Sequence, residues 1–420
     1  MANNVNPKKM PNNKIKNKIE RKKKEDGINR YYQKVADRIK RLKGLACLSL
    51  LFLVIGGLVF MPEDVTLANI ISLGRYMDIV PAARAATHEF RIDADEHASY
   101  AYHRNNVVVL RRNRLDIYDI NGRRNASFNI AYSNPVLQVS DRYILAYDLG
   151  RNQLDVFNLV SRVFEYTGER PIFGARVTDR GYIVYITNER GYTSVVRVLN
   201  RSFAEMFGVY RVRDYVMDAD ICDGARHLVI AGFYAEGGDF LTSILLYRTD
   251  SEEPVGDIQV RGEKPLRVNM NDAGFCVVLE SSIRFYDLSG TETGRYNFAG
   301  SAVQMAELGR DFSAVVLRER IVGNENRIVI FDSNTGNKLF EDYIDTEIMD
   351  IKLAGSYIYL LTRRGIYRLS PAEDIIERFI PRTNEHGEAM YDETARRIIL
   401  ANDRNIILAG LSSVNILELD

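Results

Sequence analysis

Residues 328–340 read IVIFDSNTGNKLF, an apolar run followed by a short polar segment and a second run. Branched and aromatic residues favour strands, and Asn-Thr-Gly is typical of a tight turn, so this stretch predicts two strands joined by a turn. The first strand recurs along the chain at intervals of 39, 41, 49, 39, 45, 36 and 41 residues, about 41 on average. Its copies are centred at Tyr118, Phe157, Val198, Tyr247, Tyr286, Phe331, Tyr367 and Leu408.

A spacing near 41 residues is typical of a four-stranded propeller blade. A more apolar run precedes each recurring strand, and we predict that these runs are inner strands, buried on both faces between neighbouring blades. They occupy residues 107–110, 143–146, 182–186, 227–231, 275–279, 312–317, 357–361 and 398–400.

The count of recurring strands predicts an all-β, eight-bladed β-propeller, with seven blades as the alternative. The last unit has only a weak outer strand of its own, residues 414–419. Residues 87–92, THEFRI, alternate like a strand and precede the first complete unit. An open ring leaves unpaired backbone groups, so we predict that residues 87–92 pair into the last blade and close the ring.

The unit 328–340 resembles the repeat of quinoprotein-type (PQQ-like) propellers, in which an aspartate, Thr-Gly and a large aromatic residue follow one another. Here these are Asp332, Thr335, Gly336 and Phe340. The tryptophan typical of that repeat is missing, because the chain has no Trp. The resemblance, shared more loosely with WD-repeat propellers, implies the fold over residues 86–420 and no particular cofactor. The layout also resembles uncharacterised bacterial membrane-anchored propeller proteins.

Charge is segregated along the chain, although the whole has no formal net charge at pH 7. Residues 1–43 contain 15 Lys or Arg and four acidic residues, a net charge of +11, which leaves −11 for the remainder. Residues 44–61, GLACLSLLFLVIGGLVFM, contain no charge. As a helix this segment is about 27 Å long, enough to cross the hydrocarbon core of a bilayer. We therefore predict a transmembrane helix at residues 44–61.

The charges beside this helix predict its orientation. Basic residues end the preceding segment, whereas Glu63 and Asp64 follow the helix, so the basic tail is expected in the cytoplasm and the propeller outside. A cleaved signal peptide is the main alternative, but the nearest small-x-small site, residues 83–85, lies more than 20 residues beyond the apolar run. We therefore expect an uncleaved single-pass protein of the cell membrane.

Four segments follow from these patterns. Residues 1–43 form a basic cytoplasmic tail, disordered at first and then an interfacial helix in contact with lipid. Residues 44–61 form the anchor, 62–85 a stalk, and 86–420 the extracytoplasmic propeller. Beyond residue 61 most basic residues are arginines in an acidic background, so we expect no nucleic-acid partner.

The sequence offers few candidates for chemistry, and we assign no catalytic, cofactor-binding or metal-binding residue and no cofactor. The acidic cluster at residues 93–97 is interpreted as a solvated loop at the ring closure, with a cation site as the alternative. The run from Asp332 to Gly336 is interpreted as a turn in which an Asx side chain caps the backbone. Cys222 and Cys276 are interpreted as buried free thiols, with a disulfide as the alternative.

Three classes of function fit these patterns. The first is a non-catalytic scaffold that binds an envelope protein or a cell-envelope polymer, and it requires no special motif. The second is a sensor that binds a ligand in the propeller channel. The third is a quinoprotein-like or glycan-active enzyme, which requires acids or histidines focused at one end of the channel. The absence of recognisable site motifs favours the scaffold.

Overall fold

The computed structural model describes residues 43–45, 48–49, 88–93, 95, 97–319, 325–373, 375–384, 386–402 and 404–419. The chain divides into two units, Met1–Leu67 and Ala68–Asp420. Residues 43–45 and 48–49 of the first unit are helical. No helix among the described residues is long and apolar enough to cross a membrane. Nearly all of the predicted tail, most of the predicted anchor and the whole predicted stalk lie outside the described residues.

The second unit is built from thirty-two strands within the described residues. The first strand, β1 (His88–Arg91), stands apart from the regular order, and blades one to four follow it. These are β2 (Ser99–His103), β3 (Asn106–Leu110), β4 (Arg114–Asp119), β5 (Arg124–Asn129); β6 (Pro135–Val139), β7 (Ile144–Asp148), β8 (Gln153–Phe157), β9 (Arg162–Thr167); β10 (Gly174–Val177), β11 (Ile183–Glu189), β12 (Tyr192–Leu199), β13 (Glu205–Arg211); β14 (Tyr215–Ile221), β15 (His227–Glu236), β16 (Asp239–Arg248) and β17 (Pro254–Arg261).

The remaining strands continue the same pattern and end with three strands near the C-terminus. These are β18 (Pro265–Met270), β19 (Gly274–Leu279), β20 (Ser282–Asp287), β21 (Glu292–Asn297); β22 (Ala302–Leu308), β23 (Phe312–Arg318), β24 (Glu325–Asp332), β25 (Lys338–Asp345); β26 (Ile348–Ala354), β27 (Tyr357–Thr362), β28 (Gly365–Ser370), β29 (Ile375–Pro381); β30 (Arg397–Ala401), β31 (Asn405–Ala409) and β32 (Ser413–Glu418).

Each blade is an antiparallel sheet of four strands in chain order, except the eighth, whose order is β1-β32-β31-β30. Strand β1 pairs with β32 so that His88 lies opposite Ile416 and Arg91 opposite Ser413. The eight-bladed prediction and the predicted closure by the N-terminal strand are therefore confirmed. A closed ring protects strand edges that would otherwise stay unpaired.

Hydrogen bonds that involve the first strand of a blade, or the turn after it, connect every pair of consecutive blades. Between blades one and two, His103 Nδ1 donates to the Ser140 carbonyl over 2.9 Å. The other seven contacts, in ring order, are Asp141 N to Asp179, Arg176 to Asp218, Val268 N to Asp218, Arg267 to Ala306 O, Gln304 to Ile348 O, Ile398 N to Asp350, and Tyr100 OH to Gly410 O.

The hydrophobic core consists of eight clusters among the described residues, each between two consecutive blades. The second strand of a blade contributes to the clusters on both sides, and β3, β7 and β19 are buried along their whole length. The predicted apolar runs fall on these second strands in blades one to seven. They are buried on both faces as predicted, but another strand lies inside each of them.

The innermost strands are the first of each blade, and those of blades one to seven were not predicted from the sequence. They line two polar cavities of the central channel, of about 360 and 270 Å³. Because one of their edges faces this channel, polar and apolar residues mix along them.

In the eighth blade the predicted inner run, residues 398–400, belongs to the first strand, and the copy centred at Leu408 belongs to the second. The true counterpart of the recurring third strand is β32, so the last unit was aligned one strand too early.

The turns after the third strands confirm the Asx interpretation. Asp332 Oδ1 accepts hydrogen bonds from the backbone N–H groups of Asn334 and Thr335 over 3.0 and 2.7 Å. Four other blades repeat this arrangement with Asp119, Asn158, Asn200 and Asp287. An Asx side chain thus stabilises the turn at one recurring structural position.

Strand direction divides the ring into two faces. The proximal face carries the turns from first to second and from third to fourth strand, together with the start of β1 at His88. The distal face carries the turns from second to third strand, such as Gly237-Gly238, and the connections between blades. The described chain therefore both enters and leaves the propeller at the proximal face.

We expect the stability of the propeller to fall on acidification because of His103. This side chain is 3% exposed, and burial, together with the charge of Arg104, lowers its pKa to about 4 despite the hydrogen bond to Ser140. The unfolded chain, with a His pKa near 6.5, binds the proton more tightly. The folded state therefore has its full stability above pH 6.5 and loses roughly 3 kcal/mol of it as the pH falls towards 4.

Urea unfolding followed by far-ultraviolet circular dichroism between pH 7.5 and 4.5 measures this loss. His103→Gln retains a hydrogen-bond donor and should flatten the pH dependence, whereas His97→Gln, at an exposed position, should not. A pH dependence that is the same in His103→Gln and wild type would contradict the assignment.

Candidate functional site: an aromatic surface on the fourth blade

The hairpin of β15 and β16 is the longest in the propeller. Each of its strands has ten residues, whereas the other described strands have four to eight. The two strands pair over their full length, from His227 opposite Arg248 to Glu236 opposite Asp239. Gly237 and Gly238 have φ values of +64° and +92°, a conformation that glycine adopts without strain in two-residue hairpin turns.

The tip of this hairpin projects from the distal face. Pairing with β14 ends at Phe233, and pairing with β17 ends at Leu241. The two or three residues beyond these points pair only with each other. At about 3.4 Å per residue, the tip extends roughly 7–10 Å past the strands on either side.

Three aromatic rings form a row that extends from β14 across the hairpin of β15 and β16. The ring centroids of Tyr215 and Phe233 lie 6.0 Å apart, and those of Phe233 and Phe240 5.7 Å. Tyr215 is 60% exposed and Phe240 43% exposed. The Lys264 ammonium lies 4.2 Å from the centroid of the Phe240 ring, a cation–π contact that helps to fix this ring in place.

Further exposed apolar side chains lie just before β14, on β14 and on β18, which packs against β14. Val212 precedes β14, Met217 lies in β14 at a break in its pairing register, and Leu266 lies in the adjacent strand β18; all three are exposed. We call Val212, Tyr215, Met217, Phe240 and Leu266 the hairpin surface. Exposed apolar groups concentrated in one place on a folded protein are typical of a site of interaction.

The charges around the hairpin surface are paired with one another. Arg261 lies 3.4 Å from Asp239, and Lys264 lies 3.8 Å from Glu280. Arg213 packs against the Tyr234 ring and lies 3.7 Å from Glu236. The surroundings are thus polar without a dominant sign of charge. Such a surface suits a partner recognised through apolar contacts and a polar rim.

This surface was not predicted from the sequence. Its one signal is the interval of 49 residues before the copy centred at Tyr247, the longest of the seven, because the extra residues form the hairpin tip. Neither the exposure of Tyr215 nor that of Phe240 follows from the pattern of strands, since aromatic residues are equally common in buried strands.

The structure places the other candidates apart from this surface. Residues 93, 95 and 97, the described part of the acidic cluster, lie in the connection from β1 to β2, and Asp93 Oδ2 accepts a hydrogen bond from Arg114 over 2.6 Å. Within the described part of the chain, no three His, Cys, Asp or Glu side chains are arranged to hold a metal ion.

The two cysteines of the described propeller are buried and free, as predicted. Cys222 belongs to the cluster between blades four and five, and Cys276 to the cluster between blades five and six. Burial raises the pKa of Cys276 to about 12, because its hydrogen bond with Ser313 does not compensate for the loss of water. A thiol held protonated in this way is a weak nucleophile.

Eight four-stranded sheets arranged in a closed ring define the class of this protein as a β-propeller. The chain belongs to a family of unknown function, DUF5711, which matches residues 84–373. No curated protein sequence matches the chain.

Solved structures provide a further comparison. The computationally designed Ika8 protein is 11% identical, covers 78% of this chain over 98% of its own length, and has a TM-score of 0.57. At this identity the similarity shows the fold alone. BamB from Moraxella catarrhalis is 14% identical, with coverage of 80% and 99% and a TM-score of 0.46. Hsv2p from Kluyveromyces lactis is 11% identical, with coverage of 68% and 96% and a TM-score of 0.43.

Proposed function

We propose that this protein is a membrane-anchored, non-catalytic interaction scaffold whose hairpin surface docks a protein of the cell envelope. The exposed aromatic row on the projecting hairpin carries this proposal. Aromatic residues and methionine are enriched at protein interfaces, and a few well-packed aromatic side chains commonly dominate their binding energy.

The proposed topology rests on the sequence. The apolar segment 44–61 anchors the chain, its basic flank holds residues 1–43 in the cytoplasm next to lipid, and the propeller lies outside. The hairpin surface lies on the distal face of the propeller, opposite the face at which the described chain begins.

Site-specific photocrosslinking in living cells tests this function. A photoreactive phenylalanine analogue at position 240 of the full-length protein should form one dominant adduct with an envelope protein. The same analogue at Tyr343, which is 55% exposed on β25 of blade six, is the matched control and should not form it. Protease added to intact cells, with any outer envelope opened, should remove the adduct, because the propeller is expected outside.

A substitution within the hairpin surface separates docking from chance proximity. Tyr215→Ser removes a side chain that is already 60% exposed, so the fold should be retained while the adduct at position 240 falls at least tenfold. Tyr343→Ser should leave the adduct unchanged. The docking proposal is wrong if position 240 forms no specific adduct or if both substitutions reduce it equally. Protection of the propeller from external protease would overturn the orientation.

A further inference from the structure

A polar cavity of about 360 Å³ opens at the proximal mouth of the channel, on the face opposite the hairpin surface. Strands and turns of blades two to six line it. Its charged wall consists of Arg176, Asp179, Asp220, Asp223, Asp272 and Arg310. A volume of this size is at the lower end of the range of small-molecule sites.

The inner part of this cavity is a closed network. Arg176 on β10 pairs with both Asp218 and Asp220 on β14. The same carboxylates accept hydrogen bonds from the backbone N–H groups of Val268 and Met270 over 2.9 and 2.8 Å. These groups hold blades three, four and five together, and their polar atoms are engaged.

The mouth of the cavity is different, because it holds more carboxylates than cations. Arg310, on the turn between β22 and β23 of blade six, forms an ion pair with Asp223, on the turn between β14 and β15 of blade four. The pair therefore passes over blade five. Asp272 lies on the corresponding turn of blade five and, among the described residues, forms no hydrogen bond or ion pair. Asp179 completes a mouth with three carboxylates and one guanidinium.

The Arg310 guanidinium shows what kind of group this mouth accommodates. It reaches Asp223 from a blade two positions away, and its side chain is 63% exposed, against 21% for Asp223. An ion pair so open to water contributes little to stability, so an external cation can replace the arginine at low cost. The excess of carboxylates selects for positive charge, and Asp272 provides a second acceptor on the wall of the same cavity.

We propose that the proximal mouth of the channel binds a ligand with a guanidinium or primary ammonium group, which displaces Arg310 and pairs with Asp223 and Asp272. This site is separate from the hairpin surface and goes beyond the scaffold function. The same chemistry is found in a free small cation and in a basic side chain of a peptide. The cavity volume fits either the whole of the former or the end of the latter.

Calorimetry with the purified full-length protein tests this site with two probes. Agmatine represents the free cation, and the blocked tripeptide acetyl-Ala-Arg-Ala-amide represents the side chain. N-Butylurea, neutral but similar in shape, is the control ligand. At least one cationic probe should bind saturably, with an affinity that weakens as salt is raised, and N-butylurea should not. The tighter of the two probes identifies the source of the cation.

Three substitutions decide whether the mouth is the site. Arg310→Ala removes the internal competitor and should strengthen binding of the cationic probe at least fivefold. Asp272→Asn removes an exposed carboxylate, which the fold tolerates, and should weaken binding at least fivefold. Asp311→Asn, next to Arg310 but outside the cavity wall, should leave the affinity unchanged.

The sign of the Arg310→Ala effect is the decisive result, because a merely structural ion pair predicts no gain of binding on its loss. Absence of saturable binding by both wild type and Arg310→Ala would overturn the proposal. So would equal binding of N-butylurea, or an equal loss of affinity in Asp272→Asn and Asp311→Asn.

Discussion

Replacing Phe90 by alanine should lower the free energy of unfolding of the propeller by about 3–5 kcal/mol, the usual cost of removing a buried phenylalanine. Phe90 lies in β1 opposite Val414 and is 8% exposed. Its ring lies 5.9 Å from that of Tyr118 in blade one, so one side chain joins the first and last blades. The loss therefore weakens the seam of the ring, which is the junction between blades eight and one.

Deleting residues 88–92 should have a larger effect. The deletion removes all of β1 and takes both Phe90 and Ile92 out of the cluster between blades eight and one. It also exposes the backbone edge of β32, because the hydrogen bonds between β32 and β1 are lost. We expect the sharp melting transition to broaden and the melting temperature to fall by more than about 10 °C.

Thermal melting followed by circular dichroism, together with limited proteolysis, measures both changes. Glu89→Ala alters an exposed residue of the same strand and should leave the melting temperature within about 2 °C of wild type. Removal of residues 1–27 should also leave it unchanged. A protein lacking residues 88–92 that melts like wild type would mean that the seam contributes nothing to the stability of the ring.

Arg327→Met should destabilise the propeller by about 3–5 kcal/mol, because it leaves the buried Phe298 carbonyl and two partly buried carboxylates without their partner. The Arg327 side chain is 9% exposed. Its Nε donates to Glu319 over 2.6 Å, and one terminal nitrogen lies 3.1 Å from a Glu341 oxygen. The other donates to the Phe298 carbonyl over 2.9 Å. Methionine preserves much of the volume but can make none of these three contacts, because its side chain has no N–H donor.

The same substitution should change the acid sensitivity of the protein. Partial burial opposes ionisation of Glu341, but hydrogen bonds from Lys338, Tyr296 and Arg327 outweigh it and lower its pKa to about 2. A carboxyl with a lowered pKa stabilises the fold above its ordinary pKa of 4.5, and this contribution is lost as the pH falls towards 2. In Arg327→Met the pKa of Glu341 should rise, so less stability remains to be lost on acidification.

Guanidinium unfolding at pH 7 and pH 3 separates the two effects. Arg318→Met, at an exposed position in the same blade, is the matched control and should stay within about 0.5 kcal/mol of wild type. If Arg327→Met is as stable as Arg318→Met at pH 7, the buried network is not a source of stability.

The blades were predictable because their second and third strands are strongly apolar and recur at a nearly constant interval. The first strands of blades one to seven were not, since strands such as β10 and β22 face the channel and mix residues such as Arg176 and Gln304 with apolar ones. In the eighth blade, β31 and β32 are both short and apolar, and the described residues show no Asx turn after β32. The last unit was therefore aligned on β31.

The two sites were less accessible to sequence analysis. The hairpin surface depends on which aromatic rings extend past their neighbours, and only the long interval before Tyr247 hinted at extra residues. The channel mouth combines Asp223, Asp272 and Arg310 from turns roughly 40–90 residues apart, each of which resembles an ordinary polar turn on its own. Only the geometry of the ring brings these charges together.

The pairing of β1 with β32 also constrains the order of events during synthesis. β1 is the first strand of the ring to leave the ribosome, and its partner is the last, more than 320 residues later. At roughly 5–20 residues per second, β1 waits on the order of 20–60 seconds for the strand it needs. During this time the apolar side chain of Phe90 has no native seam to enter. A nascent chain that stops before β32 therefore leaves β1 without its pairing partner. A truncation near the end of the propeller sequence thus exposes a strand edge near its beginning.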